Sequence, residues 1–162
     1  MDQKIIPNLW FDSEAEEAAD YYIDVFGGGR VVGVARYPEG SPGPAGSVMS
    51  VSFEVAGMQI VGINGGPQFP FTEAVSLQVN CADQAEVDRF WTRLIGDGGE
   101  ESQCGWLKDK YGLSWQIVPG GMDEIFADPD PARAQRAMQA MLQMKKLDVA
   151  ALRAAADGVP VG

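Results

Sequence analysis

The chain has 162 residues, 46% of them apolar, with 23 acidic against 12 basic side chains, a net charge of -11 and no histidine. That length supports one domain with a real core or two tightly joined halves, and the acid excess argues against nucleic acid as a partner, because phosphate contact needs clustered Lys and Arg. No run of 18 apolar residues and no signal-type stretch occurs, so the expectation is a cytoplasmic protein with no membrane partner and with Cys81 and Cys104 reduced.

In chain order, residues 5–11 (IIPNLWF) alternate as a strand, with Leu9 and Phe11 on one face and Asn8 and Trp10 on the other. A helix is predicted over residues 14–27. Asp12 or Ser13 is expected to accept from its first-turn amides, and Gly27 to stop it. Strand-like runs follow at 30–37, 47–55 and 58–64, broken by the Pro/Gly-rich loop 39–46 and by the Ala56-Gly57 turn. Residues 74–80 alternate again, and a second helix spans 83–96. Shorter strands are expected near 99–102, 104–108 and 113–118, with Tyr111-Gly112 as a hairpin turn. In the last of these, Leu113, Trp115 and Ile117 take one parity while Ser114 and Gln116 take the other, so one face is buried and one looks into something polar.

The chain also repeats itself. Residues 14–27 (EAEEAADYYIDVFG) align without a gap to 83–96 (DQAEVDRFWTRLIG): Glu17 meets Glu86, Tyr21-Tyr22 meets Phe90-Trp91, and Gly27 meets Gly96. Both halves read βαβββ. The expected fold is therefore α+β, with paired βαβββ modules forming a curved, cavity-containing sheet and a C-terminal helical extension. The expected organisation is a single domain over 1–162, with module one at 3–66, module two at 72–119 and the extension at 120–162. Within the extension, helices are predicted over 122–127, from Pro131 to about 144 with Asp130 as its cap, and over 149–156 with Asp148 as its cap. Met138, Met141, Leu142 and Met144 form a stripe at helical spacing that suits core or a subunit interface.

Several segments carry a resemblance. The stretches 8–12 (NLWFD), 46–50 (GSVMS), 64–67 (NGGP), 104–119 (CGWLKDKYGLSWQIVP) and 138–146 (MQAMLQMKK), with the two βαβββ halves, resemble the PhnB-like family of the vicinal oxygen chelate (glyoxalase/bleomycin-resistance) superfamily. Such proteins are often labelled 3-demethylubiquinone-9 3-methyltransferases. The resemblance implies a glyoxalase-like fold, a homodimer, and a divalent metal held by His and Glu on the first, fourth, fifth and eighth strands. The matching positions here are Ile6 or Asn8, Val61, Ala74 or Ser76, and Gln116. None is an acid or an imidazole, so no metal and no cofactor is expected.

The remaining candidate lining is uncharged: Asn8, Trp10, Gln59, Ser76, Gln78 and Gln116, joined by Asn64 and Gln68 of the NGGPQF loop. Amides that fix orientation beside an aromatic surface suit a small, partly aromatic organic ligand; the same amides would equally satisfy one another or water. Cys104 completes the candidate lining; as a nucleophile it has no histidine to serve as its base, and the other titratable groups nearby are Tyr111, Lys108, Asp109 and Lys110. Lys108, Asp109 and Lys110 read as a solvated hairpin tip. The functional reading is a metal-free small-molecule binding protein. The alternative is an enzyme using the same cavity, a transferase or isomerase of the demethylubiquinone methyltransferase-like kind.

Overall fold

The computed structural model of the protein describes residues 3–159. Two compact units divide between Phe71 and Thr72. Residues 160–162, at the end of the expected extension, lie outside the described residues, as do Met1 and Asp2.

The first unit contains β1 (Asn8–Phe11), α1 (Ala15–Val25), β2 (Gly29–Arg36), β3 (Val48–Val55) and β4 (Met58–Asn64), arranged in one sheet of order β1-β4-β3-β2. β1 runs parallel to β4, and the remaining pairs are antiparallel. In α1 the buried residues Ala15, Ala18, Ala19, Tyr22 and Val25 recur at helical spacing, so one stripe meets the sheet. Small residues allow a close approach: a Cβ at Gly62 would sit 3.1 Å from the Ala15 Cβ. Tyr22 stacks on Phe53 with ring centroids 6.2 Å apart. Burying each such aromatic side chain contributes about 1.5–3 kcal/mol. The opposite face of this sheet carries Asn8 and Trp10, paired with Val61 and Ile63.

α1 starts differently from expectation. Neither Asp12 nor Ser13 caps it; Asn64, at the end of β4, accepts from the Ala15 amide at 2.8 Å. Gly27 does end it, with φ +73° and its amide bonded to the Asp24 carbonyl.

The second unit repeats the plan with β5 (Ser76–Cys81), α2 (Gln84–Ile95), a 3-10 turn (Gly96–Gly98), β6 (Glu100–Glu101), β7 (Trp106–Lys108) and β8 (Ser114–Pro119). Its sheet order is β5-β8-β7-β6, the same as the first with each number raised by four. Strand pairing thus bears out the duplication read from the helices. Asp83 caps α2 by accepting from the Glu86 amide at 2.9 Å, while Glu86 reaches back to the Ala82 amide. The helix lays Val87, Phe90, Trp91 and Leu94 inward, and Leu107, Trp115 and Ile117 are buried on the sheet.

Three further helices complete this unit: α3 (Met122–Phe126), α4 (Pro131–Met141) and α5 (Val149–Ala156). Asp130 and Asp148 cap α4 and α5 as expected. They enclose a small core of Met122, Ile125, Ala137, Leu147, Leu152 and Ala156. The methionine stripe splits there. Met141 and Met144 pack against this core, whereas Met138 and Leu142 remain exposed.

Candidate functional site

Asn8, Trp10, Gln59, Ser76, Gln78 and Gln116 alternate onto the face of each sheet away from its own helix, whereas Asn64 lies on the α1 side and Gln68 in the loop after β4. In the first unit most of their polar atoms are committed to backbone. The Trp10 indole N–H donates to the Gly66 carbonyl at 2.8 Å, and the ring meets the edge of Phe69 at 5.0 Å. Gly65 lies against that ring so closely that a Cβ would come within 2.0 Å of it. Asn64, besides holding α1, donates to the Val48 carbonyl at 3.1 Å, and its own carbonyl accepts from the Tyr37 hydroxyl. With its amide nitrogen turned inward, Gln68 donates to the Gly65 and Gly66 carbonyls. Asn8 donates to the carbonyl of Ile6. These contacts fasten the loop after β4 and the start of α1.

Among the described residues of this unit, separate cavities divide candidates that the sequence reading grouped together. Gln59 lines one of about 660 Å3 with Gln3, Phe26 and Glu54. Asn64 and Gln68 line another of about 690 Å3 with Asp12, Arg36 and Tyr37. A clamp by the Gln3 side chain, which accepts from the Gln59 amide and donates to its carbonyl, fixes the start of β4.

In the second unit, strand register brings candidates together. Ser76 lies opposite Ser114, and Gln78 opposite Gln116. Across the next pair, Gln116 faces Trp106 and Ser114 faces Lys108. The Gln116 amide donates to the Ser76 hydroxyl at 2.8 Å. Gln78 is exposed and donates to the Asn80 side chain. Trp106, Lys108 and Ser114 are members of this face that sequence reasoning did not select, although the burial of Leu107 between Trp106 and Lys108 follows from simple alternation.

Cys104 belongs elsewhere. Its amide donates to the Met144 carbonyl at 2.8 Å and its Sγ to the Met141 carbonyl at 3.5 Å, so it joins β7 to the segment after α4. Cys81 is buried, and burial, reinforced by Glu86, pushes its thiol up to about 11. Both cysteines are free.

The hairpin tip is another departure. Asp109 is only 2% exposed. Its carboxylate accepts from the Tyr111 and Leu113 amides at 2.9 and 3.1 Å and from the Trp115 indole at 2.8 Å. The expected solvated turn is instead built around a buried carboxylate, which fixes the entry to β8.

A divalent metal does not fit these residues. Val61 offers no donor atom, the Gln116 amide nitrogen is turned to Ser76, and Asn8 and Ser76 are neutral. Among the described residues no group of three or more His, Cys, Asp or Glu could hold an ion. Neutral amides and hydroxyls compensate poorly for the desolvation of a divalent cation.

Comparison with known proteins agrees with this fold. Residues 3–118 match the model of the family described as 3-demethylubiquinone-9 3-methyltransferase. A PhnB protein from Bacillus cereus described as such a methyltransferase shares 35% identity, over 73% of this chain and all of its own, with a TM-score of 0.65. Protein PA1353 from Pseudomonas aeruginosa shares 22% identity over 73% of this chain and 98% of its own, with a TM-score of 0.59. The fosfomycin resistance protein FosX from Mesorhizobium loti shares 14% identity over 78% of this chain and 98% of its own, with a TM-score of 0.55, a likeness of fold alone. None of the curated proteins compared matches.

Proposed function

Because the chain belongs to the 3-demethylubiquinone-9 3-methyltransferase (PhnB) family, with the glyoxalase-like fold, we propose that it is a metal-free binding protein for a small, partly aromatic organic molecule. The observation that carries this reading is the face of the second sheet away from α2, where the Gln116 amide and the Ser76 hydroxyl lie beside Trp106 and the buried Ser114 hydroxyl makes no hydrogen bond among the described residues. Such a mixture orients a ligand through a few polar contacts while an aromatic surface supplies area.

The family's name carries the other reading, a transferase or isomerase acting on that face. Against a methyl-donor loop stands the role of the glycines: Gly27 ends α1, and Gly29 opens β2 where a Cβ would lie 2.1 Å from the Glu54 carbonyl oxygen. They follow a helix and enter a strand, the reverse of a nucleotide-binding turn.

Thermal-shift screening against aromatic metabolites and quinone analogues, with chelator present, separates the readings. Stabilisation without turnover is the expected result. Turnover that survives chelator and is lost in Gln116→Ala would replace the binder with the enzyme. The reading extends to a cytoplasmic homodimer; the apolar surface that Met138 and Leu142 leave exposed on α4 supports the dimer. Leu142→Glu is expected to shift sedimentation equilibrium toward monomer.

A further inference from the structure

The face of the second sheet away from α2 holds a buried hydroxyl without a partner among the described residues. Ser114, the first residue of β8, is 1% exposed, and its Oγ makes no hydrogen bond among the described residues. A buried polar atom left unpaired is uncommon enough in a folded protein to need a cause.

Its surroundings supply one. Strand pairing sets Ser114 in a row across the sheet, with Ser76 on one side and Lys108 then Glu100 on the other. Lys108 is ion-paired with Glu73, three residues ahead of β5. Since β8 lies between β5 and β7, this ion pair joins β7 to the segment ahead of β5, the two neighbours of β8, without a hydrogen bond to the Ser114 hydroxyl. Ser76 already accepts from Gln116, so its own proton is left for another acceptor. A lysine and two serines therefore occupy one row of the sheet, with Trp106 one row away. The Glu73 side chain is 65% exposed. A pair so open to water is weakly held and exchanges readily.

We propose that Lys108, Ser114 and Ser76 form a carboxylate seat for an aromatic acid, and that Glu73 occupies Lys108 alone until a ligand carboxylate, which also accepts from the Ser114 hydroxyl, displaces it. Charge sets the ligand class further. Glu73 and Glu100 flank the one lysine, which suits a monoanion and disfavours a phosphate dianion. This assignment rests on the binding reading above and names the ligand's anchoring group.

Isothermal titration of the full chain, with chelator present and with benzoate, benzamide and inorganic phosphate as probes, tests it. Benzoate is expected to bind about tenfold more tightly than benzamide, because its hydrogen bonds are charge-assisted. Glu73→Gln is expected to tighten benzoate about threefold and leave benzamide unchanged. Lys108→Met should weaken benzoate about tenfold or more. Ser114→Ala should weaken benzoate while raising the melting temperature by about 3 °C, as removing an unpaired buried hydroxyl relieves the free protein. Melting curves of Glu73→Gln and Lys108→Met, both surface changes, establish that each variant is folded.

Equal affinity for benzoate and benzamide, or a Glu73→Gln variant no tighter for benzoate, overturns the seat and leaves the binding reading standing. Phosphate binding as well as benzoate overturns the monoanion assignment. If neither aromatic probe binds, the binding reading falls and the seat with it.

Discussion

The two sheets share one strand order and differ in where their polar side chains are tied. In the first, Trp10, Asn64 and Gln68 turn their polar atoms to backbone and fasten a loop and a helix start. In the second, the Gln116 amide donates to another side chain, the Ser114 hydroxyl makes no hydrogen bond among the described residues, and Lys108 holds a solvent-exposed carboxylate. A duplicated frame thus carries internal structure in one copy and, in the other, side-chain pairs around one unsatisfied hydroxyl. Saturated polar groups stabilise a fold, whereas unsatisfied ones, which cost stability, are what a ligand can use.

The sharpest way to break this contrast is at the hairpin that aims β8. Asp109→Ala leaves two backbone amides and the Trp115 indole without their acceptor in a buried place, and should destabilise the protein by about 3 kcal/mol in urea unfolding. An unchanged midpoint would show that the second face is not fixed from this turn. Asn64→Ala should cost about 2 kcal/mol in the same assay, since the α1 cap and the Val48 contact go together. A loss below the error of the measurement would remove Asn64 from the fastening role.

The next effect has the opposite sign. Ser114→Ala is expected to gain about 1 kcal/mol, because it deletes a buried hydroxyl that has no partner. Destabilisation would mean that the hydroxyl is satisfied in solution. The smallest effect is a pH dependence from Cys81. Its folded thiol is pushed up from 9.0 to about 11, so between those values the unfolded chain ionises first and releases its proton. Stability should therefore be unaffected by this group below pH 9, fall as pH rises toward about 11, and then level off. Cys81→Ala should flatten that part of the profile; an unaltered slope would assign it to other groups.

Much of the fold was legible because it rests on short-range rules. The helical stripe with its aromatic pair occurs twice, Asp130 and Asp148 precede their helices, and Leu9 and Phe11 alternate with Asn8 and Trp10. What was not legible depends on distant pairing. Asn64 caps α1 from 49 residues away, a partnership that no local pattern announces. Asp109 sits between two lysines and reads as surface, but a return of the chain at Leu113 and Trp115 buries it. Gln116 was visible from alternation alone, and its partner Ser76 only became identifiable once β5 and β8 were seen to run parallel in a fixed register. Lys108, Trp106 and Ser114 share that face for the same reason. Cys104 looked chemically interesting by its neighbourhood in sequence, whereas its hydrogen bonds join it to the segment after α4.

In the proposed function, neutral groups around Gln116 receive an organic ligand without help from a divalent ion. Nitrogen-15 NMR of the side-chain amides, following Gln116 during titration with benzoate in excess chelator, tests it most directly. A saturable shift of the Gln116 amide, matched by the backbone amides of Ser76 and Ser114, is the predicted result. An amide resonance that stays fixed at saturating ligand, or that moves only after manganese is added in place of chelator, would contradict it.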